Sequence, residues 1–290
     1  MRDFEYLPTK TLKEACSLIS QYKEEGKILA GGQSLITLLR QKLISPSYLI
    51  DIKGVSELDY LTFDDKKGLR MGALTTHRAI EKSSLIQSKY PVLSEMEKSV
   101  ASVQTRNWGT IGGNLCSGDP IGDPAPSLIA LNAKIKIVSS REEKTVLLAE
   151  FFTDYFTTIL EPDEILTEIQ LPTPAPHTGV VYMKFSTIEA GIKIVSTSTC
   201  IILDSDKMTC RDAGIVMSAV APVPFIAKKA GELLIGKKIN DDLIAEAAQL
   251  ASEETNPTSD VHGSAEFRRE IAKVLVRRAV KEAFEKAKRA

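Results

Sequence analysis

"ILAGGQSLITLL", Ile28 to Leu39, runs a short apolar strand into two adjacent glycines and then, through Gln33 and Ser34, into a helical pattern. A chain that only reverses direction manages with one glycine, so each of the two requires its own reason. A strand that stops at Gly31 and Gly32 and at once opens a helix leaves several backbone N–H groups without internal partners, directed into one small space. The helix dipole adds roughly half a positive charge at that end. Gln33 and Ser34 add donors, and the missing Cβ atoms admit a phosphate to the main chain. Two readings stand side by side: an anion cradle, or a tight strand–helix turn in which glycine satisfies a positive φ. The spacing is not GxGxxG.

Outward from this turn, "TLKEACSLISQY" places Leu12, Ala15, Cys16, Ile19 and Tyr22 on one helical face, "KILA" reads as a buried strand, "SLITLLRQKL" as a second amphipathic helix and "SYLIDI" as another strand. That is a small β-α-β-α-β unit. From "GVSELDYLTF" onward the pattern changes to short strands such as "GLRMGA" and "AKIKIVS", with helical insertions near Arg78 and from Pro91 to Val103, which implies a mixed or antiparallel second layer. "LPTPAPHTG", Leu171 to Gly179, carries three prolines in nine residues and marks a boundary. Beyond it lie the β-type runs "VVYMKFS", "KIVSTSTCIIL" and "DAGIVMSAV". Helical patterns follow at "PFIAKKAGELLIG", "DDLIAEAAQLASEE" and "SAEFRREIAKVLVRRAVKEAFEKAKRA". Strands followed by helices indicate an α+β domain.

A second glycine cluster lies in "RNWGTIGGNLCSGDPIGDPAPSLIAL", Arg106 to Leu131, where Gly109, Gly112, Gly113, Gly118 and Gly122 alternate with Asn114, Asp119 and Asp123. The stretch is too polar for a core strand and too apolar at Ile111 and Leu115 for a free linker. A loop pressed against a ligand explains both properties; an ordinary surface loop makes its likeness to the first turn accidental.

Composition narrows the function classes. The 290 residues carry 37 Lys and Arg against 38 Asp and Glu, a net charge of -1, which gives no global attraction to nucleic acid or to an anionic membrane. Hydrophobic content of 43% fills one large or two medium cores. No apolar run approaches the ~18 residues of a membrane span and the N-terminus has no signal-like apolar stretch, so a cytoplasmic chain is expected. Cys16, Cys116, Cys200 and Cys210 form no metal knuckle, and His77, His177 and His262 have no metal-ligand spacing. No metal site and no catalytic triad or paired-carboxylate motif stands out. The last helix carries Arg268, Arg269, Arg277 and Arg278 against Glu266, Glu270, Glu282 and Glu285, with Phe267, Ile271, Val274, Leu275 and Phe284 in one stripe, and reads as a solvated helix docked on its own domain.

"AGGQS" (Ala30 to Ser34) followed by "TIGGN" (Thr110 to Asn114) resembles the paired flavin signature of the FAD-binding medium subunit of the molybdenum hydroxylases, the family of carbon monoxide and xanthine dehydrogenases. The likeness continues through "DPAPSLIAL", "DEILTEIQLP", "YMKFS" and "SDVHGSAEFRREIAKVLVRRA", in order along nearly the whole chain. The resemblance implies an α+β fold. A two-subdomain FAD-binding domain of the vanillyl-alcohol-oxidase/PCMH type would cover residues 1–172, its subdomains about 1–55 and 56–172. A smaller α+β C-terminal domain of the carbon monoxide dehydrogenase flavoprotein type would follow over 177–290.

It implies FAD, expected to be noncovalent because no histidine lies in either glycine segment, with Ile28, Leu29, Ala30, Gly31, Gly32, Gln33, Ser34 and Leu35 around the diphosphate. Gly109, Thr110, Gly112, Gly113 and Asn114 would clasp the dinucleotide from the other side. Asp123 matches a carboxylate that hydrogen-bonds the sugar, Val100 and Ala101 match positions near the flavin or adenine, and Ile165 and Lys184 match contacts to the isoalloxazine region. Read without the resemblance, Asp123 also fits a cap for the helix after it, Lys184 a solvated strand face, and Val100, Ala101 and Ile165 the core. The implied partners are a small [2Fe–2S] subunit and a large molybdopterin subunit, with NAD⁺, a quinone or oxygen as acceptor. Two other classes stay open: a self-sufficient FAD reductase or oxidase of the same broad fold, and a non-redox nucleotide-binding scaffold.

Overall fold

Three sheets, each with its own apolar core, converge on the two glycine segments in the computed structural model, which describes residues 3–187 and 191–290. The first sheet is parallel, in the order β1 (Glu5–Pro8), β3 (Tyr48–Asp51), β2 (Gly26–Leu29). Helix α1 (Leu12–Tyr22) crosses between its strands; it starts at Thr11, whose hydroxyl accepts from the Glu14 amide, and buries Ala15, Cys16 and Ile19. The short α2 (Leu35–Arg40) follows the first glycine pair.

The second sheet is antiparallel. Its order is β4 (Leu61–Asp64), β5 (Gly68–Gly72), β10, β6 (Lys134–Val138), β7 (Glu143–Leu147), with a small hairpin of β8 (Phe152–Asp154) and β9 (Thr157–Thr158) ahead of β10 (Ile165–Leu171). Against it pack α3 (His77–Lys82), α4 (Ser84–Lys89), α5 (Pro91–Lys98), α7 (Ile111–Cys116) and α8 (Pro124–Ala130), with α6 (Val103–Trp108) packed on α3. The helix expected from Pro91 to Val103 stops at Lys98, and α6 opens only at Val103. Arg106 draws the Val100 and Ala101 carbonyls inward at 2.8 and 3.1 Å, which holds Ala101 at φ +40° and breaks the helical run. The second glycine stretch, expected as a loop, also winds into helix: Thr110 caps α7 by accepting from the Gly113 amide.

After Leu171 the chain enters the third sheet: β11 (Thr178–Ser186), β12 (Lys193–Leu203), β13 (Cys210–Ser218) and β14 (Phe225–Ile226), all antiparallel. "PFIA", expected to open a helix, pairs with Val216 and Met217 instead, and α9 (Lys228–Leu234) begins after it. One face of this sheet carries Val181, Val195, Ile201, Leu203, Ile215 and Met217 into a core closed by α9, α10 (Asp241–Glu253) and α11 (Ala265–Arg289). The basic α11 is docked on its own domain through Leu275, Val276, Ala279, Val280 and Ala283. The opposite face packs Val180, Tyr182 and Val216 onto the core beneath α5 and α8. Alternation along β11 and the register Lys184↔Ser196↔Ser218 and Tyr182↔Ser198↔Val216 set polar rows on this same face.

Candidate cofactor site

The two glycines of the first turn have separate reasons. Gly32 sits at φ +72°, in the left-handed region that costs an L side chain about 1 kcal/mol or more. Gly31 sits against the second segment: a Cβ there would stand 2.2 Å from the Trp108 carbonyl oxygen and 2.8 Å from the Gly109 Cα. The two segments therefore meet main chain to main chain. From Gly31 through Leu35 the amide N–H groups find no acceptor among the described residues, while the Gly31 carbonyl takes the Gln33 side-chain amide at 3.0 Å. Such a run is a ready acceptor site for anionic oxygen. Ile28 and Leu29 lie behind it, and Leu29 is buried.

The second segment is made differently. Its amides are already bonded: Ile111 to the Thr75 carbonyl, Gly112 to Ala73, Gly113 to the Thr110 hydroxyl and Asn114 to the Thr110 carbonyl, at 2.9 to 3.2 Å. Gly112 turns its α-carbon onto Ala73, where a Cβ would stand 2.6 Å from the alanine methyl, so it serves packing and not the open side. Gly113 faces that side; a Cβ there meets only the Thr110 hydroxyl and, at 3.8 Å, the methyl of Ala30. Asn114 is half-buried with no side-chain hydrogen bond among the described residues, and its Oδ1 lies 3.3 Å from where a Cβ on Gly122 would be. Beneath the junction, His77 Nδ1 lies 2.9 Å from Glu97 Oε2, both side chains buried. Burial pushes the Glu97 carboxyl above its usual range, and the adjacent imidazole offsets this only in part.

Asp123 does not cap α8 with its side chain. Its carboxylate is the buried centre of a cluster. The Tyr182 hydroxyl donates to Oδ1 at 2.6 Å, Lys193 lies 3.0 Å from the same oxygen, and Lys184 donates to Oδ2 at 3.1 Å. Burial pushes this carboxyl upward, but Lys193, Lys184 and the Tyr182 hydroxyl more than offset it and hold the pKa below the ordinary value. Burial and the neighbouring carboxylate push the Tyr182 phenol well above its usual pKa, so it stays a donor. Lys184 is not a solvated face residue; its second contact is the Ser99 carbonyl at 3.0 Å, which joins Asp123 to the segment carrying Val100 and Ala101. Val100 lies in the core beneath α5 and α8.

Ile165 stands apart from this cluster, with its side chain buried in the core beneath the first sheet. Neither Tyr182 nor Lys193 stands out in the sequence as a site residue. The signal for Tyr182 is its place two residues from Lys184 on one strand face; for Lys193 it is a charge opening an otherwise uncharged buried strand.

The described residues contain no group of three or more His, Cys, Asp or Glu placed to hold a metal, and no helix long and apolar enough to cross a membrane. The described residues thus hold an amide-lined glycine turn, a facing turn with an open glycine and a buried carboxylate contacted by two lysines. Residues 2–174 match the family described as the FAD binding domain in molybdopterin dehydrogenase, and residues 182–283 match the carbon monoxide dehydrogenase flavoprotein C-terminal domain. The chain belongs to this family of FAD-binding medium subunits. It is 34% identical to the glyceraldehyde dehydrogenase medium chain of Sulfolobus acidocaldarius, over 97% of this chain and 98% of that one. It is 30% identical to the carbon monoxide dehydrogenase medium chain of Afipia carboxidovorans, over 98% of each. Its structure superposes on carbon monoxide dehydrogenase from Hydrogenophaga pseudoflava with a TM-score of 0.95 at 30% identity, covering 98% of both chains. The cofactor is FAD and the protein is an oxidoreductase.

Proposed function

We propose that this chain is the flavin-carrying subunit of a multi-subunit molybdenum hydroxylase, receiving electrons from the iron–sulfur clusters of a partner subunit and releasing them to NAD⁺, a quinone or oxygen. The hydroxylation itself belongs to a molybdopterin-bearing large subunit. One observation carries the reading: the amide run Gly31–Leu35 has no acceptor among the described residues and is pressed against the Trp108–Gly109 main chain, as a bed for a diphosphate requires. The relatives that support it are named as chains of such dehydrogenases, among them the xanthine dehydrogenase FAD-binding subunit of Escherichia coli O157:H7.

Bound FAD supplies reversible one- and two-electron chemistry. In this reading the chain's own residues bind, orient and exclude water. The amides of Gly31 to Leu35 take the diphosphate oxygens, with Ile28, Leu29 and Ala30 fixing where that turn leaves the sheet. Gly113, Thr110 and Asn114 border the dinucleotide opposite, and Gly109 holds the junction closed. Asp123 accepts from a sugar hydroxyl, and Lys184 is the cation that reaches the ring region from the third sheet. No side chain need act as general base in this reading. The buried thiols of Cys16, Cys200 and Cys210 are unpaired, in keeping with a reducing cytoplasm.

Purification of the full chain from its source cell tests this. The expected result is flavin absorbance near one FAD per chain, with iron–sulfur and molybdenum-containing chains in the same complex by mass identification. A colourless chain that takes up no added FAD, or a yellow one that turns over substrate with no partner bound, overturns the reading.

A further inference from the structure

Two lysines address Asp123 and they are not equivalent. Lys193 is buried to 2% exposure, and its ammonium lies within hydrogen-bond distance of four acceptors: Asp123 Oδ1 and the Gly122 carbonyl at 3.0 Å, Ser196 Oγ at 3.1 Å and Ser218 Oγ at 2.8 Å. Three N–H protons are fully committed among these, so Lys193 has none for a ligand. Among the described residues Lys184 has two acceptors, Asp123 Oδ2 and the Ser99 carbonyl, one fewer than its three protons can serve; its side chain is 10% exposed against 1% for Lys193. Lys184 is thus the partner able to leave, and Lys193 the partner that stays.

We propose that Lys193 is a positioning residue for the cofactor: the permanent counter-ion that keeps Asp123 an ionised acceptor when Lys184 turns from it toward the bound dinucleotide. This rests on the FAD reading above. The need for such an ion follows from what surrounds Asp123. Facing it are Tyr182 and Lys184 from β11, Lys193 from β12, Asp119 from its own turn and Glu97 from α5. Remove the pull of Lys184 and, without Lys193, a desolvated carboxylate is left with one phenol donor and two acidic neighbours; it takes up a proton and loses an acceptor site. With Lys193 fixed by two serines and a carbonyl, the charge stays balanced through the exchange. Ser196 and Ser218 lie in register with Lys184 across the three strands, so the sheet itself sets the distance between the two cations.

The test is the dissociation constant of FAD from the full chain, by quenching of flavin fluorescence, at pH 6 and pH 8. Wild type is measured first: no binding there defeats the FAD reading itself, whereas binding isolates the present inference. Wild-type affinity should change by less than about threefold between the two pH values. Lys193→Met should bind about tenfold more weakly at pH 6 than at pH 8, because a buried carboxyl short of its cation takes up a proton more readily as the pH falls. Lys184→Met should weaken binding equally at both, since Lys193 still holds the charge. Lys193→Gln keeps a donor to the serines, serves if the methionine variant does not fold, and should show the same pH slope. A Lys193 variant whose pH profile runs parallel to wild type, even with a lowered melting temperature, reduces Lys193 to a structural pin and overturns the proposal.

Discussion

Between Gly31 and Leu35 successive amides have no acceptor among the described residues, whereas between Ile111 and Asn114 every amide is bonded to a carbonyl or a hydroxyl. The strings "AGGQS" and "TIGGN" look like variants of one device, yet the first is a donor surface and the second a brace. In the first turn glycine supplies a left-handed residue and a main-chain contact; in the second it supplies close packing on Ala73 and one open edge beside Ala30. A cleft for a long anionic cofactor needs both, because free donors hold the ligand only if something immobile fixes the spacing across from them.

The sharpest way to break this comparison is Gly31→Ala. The new methyl would meet the Trp108 carbonyl at 2.2 Å, and backbone on both sides has to part. A loss of about 3 kcal/mol of stability in denaturant unfolding is expected, together with loss of FAD. Next come Gly112→Ala and Gly113→Ala as a pair. The first should destabilise the fold by about 2 kcal/mol, as its methyl is driven into Ala73. The second should leave the melting temperature within a few degrees of wild type, roughly the span of 1 kcal/mol, while FAD affinity falls because its methyl occupies the open edge. Equal loss of stability in both would show that the second glycines do one job. The smallest effects separate the two helix starts. Thr110→Ala should cost about 1 kcal/mol as the α7 cap is lost, whereas Ser34→Ala, which removes no cap bond from α2, should stay within ~0.5 kcal/mol in the same titration.

Much of the architecture was legible because it is local. The stripe of Ala15, Cys16 and Ile19, the β-α-β-α-β start and the strands-then-helices order of the last third follow from periodicity and breakers. Gly31 and Gly32 were legible as a problem, but the answer for Gly31 lies some eighty positions further on, in the Trp108 carbonyl. The break at Ser99 to Ser102 was invisible for the same reason: it is imposed by a guanidinium arriving from α6, itself fixed by Glu81 at 3.0 Å. Asp123 could be read as chemically active and not as buried, since its two lysines come from strands whose register no local pattern gives. Ile165, matched by resemblance alone, has a side chain that packs in the core beneath the first sheet, a placement its strand pattern already gives.

Where two polypeptide segments touch through atoms that every residue type shares, the gap between them does not depend on which side chains stand nearby. The contact of Gly31 with Trp108 and Gly109 is of that kind. Exposed neighbours such as Ile36, Val103 and the Trp108 indole can therefore be exchanged without altering the spacing of the two turns.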